Sequence, residues 1–132
     1  MLPRQQVEDA ILEVWHRWNQ GDHDGWTAMF HPDVVLDDPV GAPTKHGLEA
    51  IEQSWQMGFS LDPWFVVPGT IHVCGNVAAF SAAHLSILGG KTVRLTDIEV
   101  WELADDGRFI RVSAYYEPLA GTPDYFLPEA DT

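Results

Sequence analysis

The chain has 132 residues, 45% of them hydrophobic and 20% charged, a balance typical of one folded domain rather than of a disordered chain. Seven basic residues against twenty acidic ones give a formal net charge of −13, which argues against nucleic acids and anionic membranes as partners because both are negatively charged. The single cysteine, Cys74, permits no internal disulfide, and no apolar segment approaches membrane-spanning length. We therefore expect one cytoplasmic domain over residues 1–132.

Three amphipathic segments predict helices in the first half of the chain, because apolar residues recur there at helical spacing. The predicted helices are residues 5–20, a short segment that carries Trp26 and Phe30 and ends before His31, and a segment that begins at Leu48 and is closed by Gly58. Residues 41–47 form a predicted loop before the third helix.

Two acidic residues, Asp37 and Asp38, end a strand predicted at residues 34–36, and Pro39 follows them. Because successive side chains of a strand point to opposite faces, Asp38 shares the core face with Leu36 and Asp37 points away from it. A carboxylate at the apolar edge of a fold is a candidate general base, since desolvation raises its basicity. Asp before Pro also commonly opens a turn, so both interpretations stay open for this stretch.

The second half of the chain alternates apolar and polar residues, which predicts strands. The extended runs are residues 64–68, 70–74, 77–88, 92–103 and 109–116, of which the first two can form one broken strand. Because helices come first and strands last, the predicted fold class is α+β with a curved antiparallel sheet. Residues 120–132 are expected to form an extended tail.

The dipeptide Gly89-Gly90 sets the register of the two longest predicted strands, because two glycines favour a two-residue primed turn. The pairs that follow from this turn are Leu88 with Lys91, His84 with Leu95, Ala82 with Asp97 and Phe80 with Glu99. His84, Asp97 and Glu99 should therefore share the apolar face of the sheet, with His84 about 7 Å diagonally from Asp97.

A four-residue loop at residues 105–108 predicts the second hairpin and extends the same apolar face. The residues placed on that face are Ile110, Val112, Ala114 and Tyr116, with Ala114 opposite Glu99 and Tyr116 opposite Asp97. A β-bulge in either hairpin would break the parity on which this assignment depends.

Buried ionisable side chains need partners or a function, because an ionised carboxylate is costly to desolvate. One interpretation is a structural pair of His84 and Asp97 with Glu99 at the rim of the sheet. The other is a polar cluster of the three residues inside a pocket. No pair of histidines has the spacing of a helical zinc motif, so we predict no metal and no cofactor.

Residues 30–47, which read Phe-His-Pro-Asp-Val-Val-Leu-Asp-Asp-Pro-Val-Gly-Ala-Pro-Thr-Lys-His-Gly, resemble the signature of bacterial ketosteroid isomerases. These enzymes belong to the superfamily of nuclear transport factor 2 and of SnoaL-like polyketide cyclases. A second block, residues 97–116, is similar to the last two strands of that family, and the resemblance covers about residues 5–119. It implies a conical half-barrel in which helices close a deep apolar pocket, and a homodimer formed through the sheets.

The resemblance also implies roles for individual residues. Asp38 matches the proton-shuttling base of the family, and Glu99 falls where the family has a protonated aspartic acid that hydrogen-bonds a dienolate oxygen. Val14 stands where the family has its oxyanion-hole tyrosine, and Phe30 and Trp55 replace two supporting tyrosines. The loss of one oxyanion donor typically lowers the rate by about 10² to 10³, which would leave slow but measurable isomerisation. The coordinated loss of the three tyrosines suggests a different substrate more than a damaged enzyme.

The predicted pocket is broad and aromatic, which suits a small apolar ligand that is either flat and polycyclic or isoprenoid. Its predicted lining residues are Val14, Trp18, Phe30, Trp55, Ala82, Trp101, Val112, Ala114 and Tyr116, together with Trp15. Three functions stay open at this stage. Asp38 and Glu99 can shift a double bond into conjugation with a ketone on a steroid-like substrate. His84 and Asp97 can instead serve as the acid and base of a cyclase, dehydratase or epoxide hydrolase, or the pocket can bind a ligand without chemistry.

Overall fold

Three helices pack against one face of a six-stranded sheet in the computed structural model, which describes residues 1–60 and 62–116. The helices are α1 (Arg4–Asn19), α2 (His23–Thr27) and α3 (Gly47–Phe59). The strands are β1 (Phe30–Asp37), β2 (Lys45–His46), β3 (Phe65–Cys74), β4 (Val77–Leu88), β5 (Lys91–Leu103) and β6 (Phe109–Tyr115). The predicted α+β class with an open, curved sheet is confirmed. The tail predicted at residues 120–132 lies outside the described residues.

The order of the strands in the sheet is β2-β1-β6-β5-β4-β3. Neighbouring strands are antiparallel except β1 and β6, which are parallel. The predicted antiparallel sheet therefore contains one parallel pair, because β1 reaches the sheet from the helical half of the chain and pairs with the last strand. This pairing brings the end of β1, where Asp38 follows, beside the inner face of β6.

The first helix is the predicted one and carries a continuous buried stripe. Its buried residues are Val7, Ile11, Val14, Trp15 and Trp18. Two contacts join its end to the sheet side of the core. The indole Nε1 of Trp18 donates to the carbonyl of Trp64 at 2.6 Å, and the amide of Asn19 exchanges two hydrogen bonds of 2.8 Å with the backbone of Val66. The helix is thereby anchored to β3, because Val66 belongs to that strand.

The short second helix ends earlier than predicted. Asp22 caps it by accepting a hydrogen bond from the Gly25 backbone N–H at 3.0 Å, and its last residue is Thr27. Phe30, predicted to be helical, begins β1 because its ring packs on Phe109 and its backbone pairs with that residue of β6. The strand predicted at residues 34–36 is therefore longer, and the predicted loop at residues 41–47 contains the short strand β2.

Gly58 does not close the third helix, which continues to Phe59. A Cβ atom on Gly58 would lie 2.3 Å from ring atoms of Trp18, so this position accommodates the indole rather than a helix stop. Glycine is required here because any side chain would displace Trp18 from the core.

The predicted register of the hairpin formed by β4 and β5 is confirmed throughout. Gly89 and Gly90 have φ values of 58° and 79°, and Leu88 pairs with Lys91. The pairs of His84 with Leu95, Ala82 with Asp97 and Phe80 with Glu99 all form as predicted. The two runs predicted before this hairpin form one strand, β3, whose register shifts between Pro68 and Ile71.

The second hairpin contains a β-bulge between Glu102 and Leu103. The bulge pairs Leu103 with Phe109, so Phe109 is fully buried and Ile110 is only partly buried, contrary to the prediction for Ile110. Beyond the bulge the predicted register returns, and Glu99 pairs with Ala114. The ladder ends at the pair of Ile98 with Tyr115, one residue before the predicted pair of Asp97 with Tyr116.

The core lies between the helices and the inner face of the sheet, and its largest components are aromatic. All six tryptophans of the chain are at least nine-tenths buried. The rings of five of them form a connected group of tilted and edge-to-face contacts, for example Trp15 with Trp101 at a centroid distance of 5.3 Å. None of the helices in the described part of the chain is long and apolar enough to cross a membrane.

Candidate active site

A largely apolar cavity opens between the helices and the inner face of the sheet. The empty space between its walls is ≈ 680 Å³, part of which is open to solvent. The predicted residues that line it are Trp18, Phe30, Trp101, Val112, Ala114 and Tyr116, and Trp15 joins them. The lining residues that sequence reasoning missed are Trp26, Leu36, Ile51, Ser54, Gly58, Trp64 and Val66.

Three predicted pocket residues are buried without lining the cavity. Val14 is fully enclosed in the core, and Ala82 is 2% exposed. Trp55 stacks on Phe59, with a centroid distance of 4.1 Å and an interplanar angle of 18°. Their assignment to the pocket is therefore corrected: helical or strand periodicity identifies a core residue but does not distinguish a cavity wall from solid core.

The two neighbouring acids at the end of β1 have different environments, as the alternation predicts. Asp37 accepts hydrogen bonds of 2.6 Å from the hydroxyl of Thr44 and the guanidinium of Arg111 on the outer side. Asp38 lines the cavity, where burial raises the pKa of its carboxyl group. A hydrogen bond from the hydroxyl of Tyr116 opposes that rise in the pKa of Asp38 only in part.

His84, Asp97 and Glu99 meet on the inner face of β4 and β5. The Nε2 atom of His84 lies 3.1 Å from Oδ1 of Asp97 and 3.1 Å from Oε2 of Glu99. The second oxygen of Glu99, Oε1, accepts a hydrogen bond of 2.9 Å from the indole N–H of Trp101. Glu99 is only 3% exposed, so of the two interpretations left open by the sequence the one that put Glu99 at the rim is wrong, and the three side chains meet in one polar cluster. We call these three residues the histidine–carboxylate cluster.

Burial and mutual charge set the proton affinities in the cluster. Burial alone would lower the pKa of His84, but the hydrogen bonds and charges of Asp97 and Glu99 outweigh it and raise the pKa to about 10. Burial raises the pKa of Glu99 to about 7, reinforced by repulsion from Asp97 and opposed by His84. The pKa of Tyr116 is also raised, first by burial and then by the nearby charge of Asp38. The cluster therefore retains a proton at neutral pH.

The donor atoms of His84, Asp97 and Glu99 all lie within 4.8 Å of one another, a spacing that one metal ion could bridge. Hydrogen bonds within the cluster already account for this spacing, because an imidazolium between two carboxylates adopts it. The absence of a metal stays a prediction. That prediction used the spacing of histidines along the sequence, which does not bear on ligands that come from two adjacent strands.

The cavity thus combines a partly buried carboxylate, Asp38, with a proton-holding cluster on another part of its wall. A group that accepts a proton and a group that donates one can act on the same bound molecule when both face one apolar space. Most of the remaining wall is aromatic or aliphatic, which fits an apolar substrate and limits the water around the reacting atoms.

Comparison with known proteins gives one family and several similar folds. The family model described as SnoaL-like domain matches residues 11–112. SalBIII, an epoxide hydrolase/cyclase-like enzyme with a role in pyran ring formation in the polyether salinomycin, is 20% identical with a TM-score of 0.82 over 89% of this chain and 95% of its own. At this identity the likeness shows the fold.

Two further solved structures share the fold. Rv0760c from Mycobacterium tuberculosis, in complex with estradiol-17β-hemisuccinate, is 18% identical with a TM-score of 0.76 over 85% of this chain and 94% of its own. A computationally designed 17-OHP binder is 18% identical with a TM-score of 0.74 over 85% of this chain and 91% of its own. The family-model match confirms the resemblance to the superfamily, whereas none of these matches specifies ketosteroid isomerase activity.

Proposed function

The chain belongs to the SnoaL-like domain family, and on that premise we propose that its cavity is an acid–base active site that opens an epoxide through an internal hydroxyl group and closes a cyclic ether. The observation that carries the proposal is the placement of Asp38 and the histidine–carboxylate cluster on the walls of one apolar cavity. The epoxide hydrolase/cyclase-like neighbour SalBIII supports this reaction class.

The proposed reaction is an isomerisation in which two protons move. Asp38 accepts the proton of the substrate hydroxyl group as its oxygen forms a bond to one epoxide carbon. The carbon–oxygen bond of the epoxide breaks at that carbon, and the released oxygen takes a proton from the histidine–carboxylate cluster. The product keeps every atom of the substrate. Transfer of a proton from Asp38 back to the cluster through solvent restores the starting state.

The surroundings of the two groups fit these roles. The raised pKa of Asp38 makes it a stronger base than an exposed aspartate, and Tyr116 orients its carboxylate. His84 keeps a proton between its two carboxylate partners, and Trp101 fixes the orientation of Glu99. The apolar walls favour attack by the substrate hydroxyl over attack by water, which would give a diol instead of a ring.

The double-bond shift predicted from the resemblance is the second candidate, and it is supported by the same base, Asp38. Its weakness is the stabilisation of the dienolate oxygen. Both oxygens of Glu99 are already engaged, one with His84 and one with Trp101, and Val14 does not line the cavity. Because each missing oxyanion donor lowers the rate by about 10² to 10³, we expect this activity to be slow.

The experiment compares cyclisation of 4,5-epoxydecan-1-ol by the native protein, Asp38→Asn and Asp37→Asn, with the cyclic ether measured by gas chromatography. We expect Asp38→Asn to lower the turnover number by about 10² or more, because it removes the base while keeping the shape. Asp37→Asn is the matched control, since it removes the neighbouring charge outside the cavity. Equal turnover in the two variants would contradict the role of Asp38.

The same proteins are then given a β,γ-unsaturated ketosteroid, and the conjugated enone is followed by its absorbance. Faster turnover of the ketosteroid than of the epoxide would favour the isomerase over the cyclase. Tight binding of both compounds without turnover of either would favour a binding protein without chemistry, the third function considered.

We also propose that the ligand is a small apolar, polycyclic molecule and that the protein acts as a homodimer. Steroid-like ligands of two structural neighbours and the aromatic cavity support the first point. An apolar outer face of the sheet supports the second, with Phe65, Val67, Ile87, Ile98 and Tyr115 all 45% to 52% exposed. Sedimentation of the native protein and Ile98→Lys tests it, because a charge at the centre of this face should release monomers.

A further inference from the structure

The charged groups on the cavity wall are mostly negative. The lining includes the carboxylates of Asp38, Asp97 and Glu99, and the imidazole of His84 is the one group among the described lining residues that can carry a positive charge there. Neither lysine nor arginine is among them. A bound anion would therefore meet up to three carboxylates in a medium of low dielectric constant, where like charges repel strongly.

Four hydrogen-bond donors of the wall already have acceptors within the protein. The indole N–H of Trp18 donates to the Trp64 carbonyl at 2.6 Å, and that of Trp101 donates to Glu99 at 2.9 Å. The hydroxyl of Ser54 donates to the carbonyl of Ala50 at 3.1 Å, and that of Tyr116 is bonded to Asp38. To reach one of these four donors, a negative oxygen of a ligand would have to displace the hydrogen bond that is already there.

Two other tryptophans of the wall also have indole N–H groups that could act as hydrogen-bond donors. The Nε1 atoms of Trp15 and Trp26 have no hydrogen-bond partner among the described residues, and each exposes less than 1 Å². Protein atoms therefore cover these two N–H groups almost completely.

Aromatic rings form much of the rest of the wall. Five tryptophans line the cavity, namely Trp15, Trp18, Trp26, Trp64 and Trp101. The electron-rich face of an indole attracts a cation more strongly than any other side-chain ring does, and the attraction grows when water is excluded. Proteins bind organic cations in cages of aromatic rings, and a nearby carboxylate adds a direct attraction between opposite charges.

We infer that this cavity selects a positive charge on an otherwise apolar ligand and disfavours a negative one. The charge can belong to a substrate that carries a protonated amine. It can also be the partial charge on the epoxide carbon as the ring opens under protonation, and in that case the inference rests on the proposed function. Both sources present the same chemistry to the wall, an electron-poor centre attached to a hydrocarbon skeleton.

The experiment uses three adamantane compounds that share one skeleton and differ in charge: 1-adamantylammonium, 1-adamantanol and 1-adamantanecarboxylate. Binding to the native protein at pH 7 is measured by calorimetry and by quenching of tryptophan fluorescence. We expect the ammonium to bind about tenfold more tightly than the alcohol, and the carboxylate more weakly than either. A carboxylate that binds as tightly as the ammonium, or no ammonium binding at about 10 mM, would overturn the inference.

Two variants test whether the wall itself causes the preference. Asp38→Asn and Glu99→Gln should each weaken ammonium binding about tenfold and leave alcohol binding within about twofold, because they remove charge without removing volume. Asp37→Asn changes the net charge of the protein equally but outside the cavity, and should leave both affinities unchanged. An equal loss in Asp37→Asn would attribute the preference to the net charge of the chain and overturn the inference.

Inhibition of epoxide turnover separates the two sources of charge. If the opening epoxide is the source, the ammonium should compete with the substrate and inhibit about tenfold more strongly than the alcohol. If turnover fails while the ammonium preference persists, the proposed function is wrong and the inference stands for an amine-bearing ligand. Turnover without any ammonium preference would leave the function standing and overturn the inference.

Discussion

Two histidines of this chain each lie between an aspartate and a glutamate, one on the surface and one in the cavity. At the surface, His23 contacts Asp24 at 3.0 Å and Glu52 at 2.6 Å. In the cavity, His84 contacts Asp97 and Glu99, both at 3.1 Å. The side chain of His23 is 37% exposed and that of His84 is 10% exposed. The same three residue types therefore occur in two environments, one partly exposed to water and one buried.

The glutamates reveal what this difference does. The pKa of Glu52 is lowered, first by a hydrogen bond from Gln56 and then by one from His23. The pKa of Glu99 is raised, because burial raises it more than the hydrogen bond with His84 lowers it. An exposed histidine between two carboxylates is thus an ordinary surface contact, whereas the buried one shares a proton with its partners and can serve as an acid.

The largest expected difference between the two histidines is in the free energy of unfolding after each is replaced by alanine. His84→Ala leaves two buried carboxylates facing each other without a cation, and loss of one partner from a buried ionic group typically costs about 3 to 5 kcal/mol. His23→Ala removes an exposed contact, and we expect the free energy of unfolding to stay close to that of the native protein. Urea denaturation of both variants checks this difference, and two equally stable variants would place His84 in the same class as His23.

The pH dependence of stability gives a smaller, graded effect. The pKa of His84 is about 10 in the folded protein and about 6.5 in the unfolded chain, so the folded state binds more protons between these values. The free energy of unfolding should therefore fall as the pH rises from about 6.5 to 10, by up to about 1.4 kcal/mol per pH unit. Below pH 6.5 both states hold this proton and the His84 contribution is fully present.

The His84→Ala variant is the control for this pH dependence, because it lacks the group that titrates. Its unfolding midpoint in urea should vary less between pH 6.5 and 10 than that of the native protein. A native protein whose stability is constant or rises over this range would show that the cluster does not retain its proton.

The sequence predicted that the members of the histidine–carboxylate cluster meet, but it did not predict how deeply they are buried. The turn at Gly89-Gly90 set the strand register, and strand alternation placed His84, Asp97 and Glu99 on one face, because hairpin geometry is a local property. Burial of Glu99 could not be predicted in the same way. It depends on Trp101, whose indole covers and bonds the carboxylate, and on helices that are distant in sequence.

The cavity walls show the same limit. Periodicity identified Val14, Trp55 and Ala82 as core residues, and all three are buried. Periodicity could not show that these residues lie in the close-packed core and not on the cavity wall, because this depends on partners such as Phe59, on which Trp55 stacks. Trp64 was read as the beginning of a strand rather than as part of the wall, because its role depends on the approach of Trp18 from the first helix.

The most direct test of this account is the protonation state of His84, measured by the ¹⁵N chemical shifts of the histidine side chains between pH 6 and pH 10. His84 and His23 report in the same sample, so the exposed residue serves as the internal reference. The account predicts that His84 is still an imidazolium at pH 9, because Asp97 and Glu99 raise its pKa to about 10. A His84 that loses its proton near pH 6.5 would contradict the proton-holding cluster and, with it, the proposed acid of the reaction.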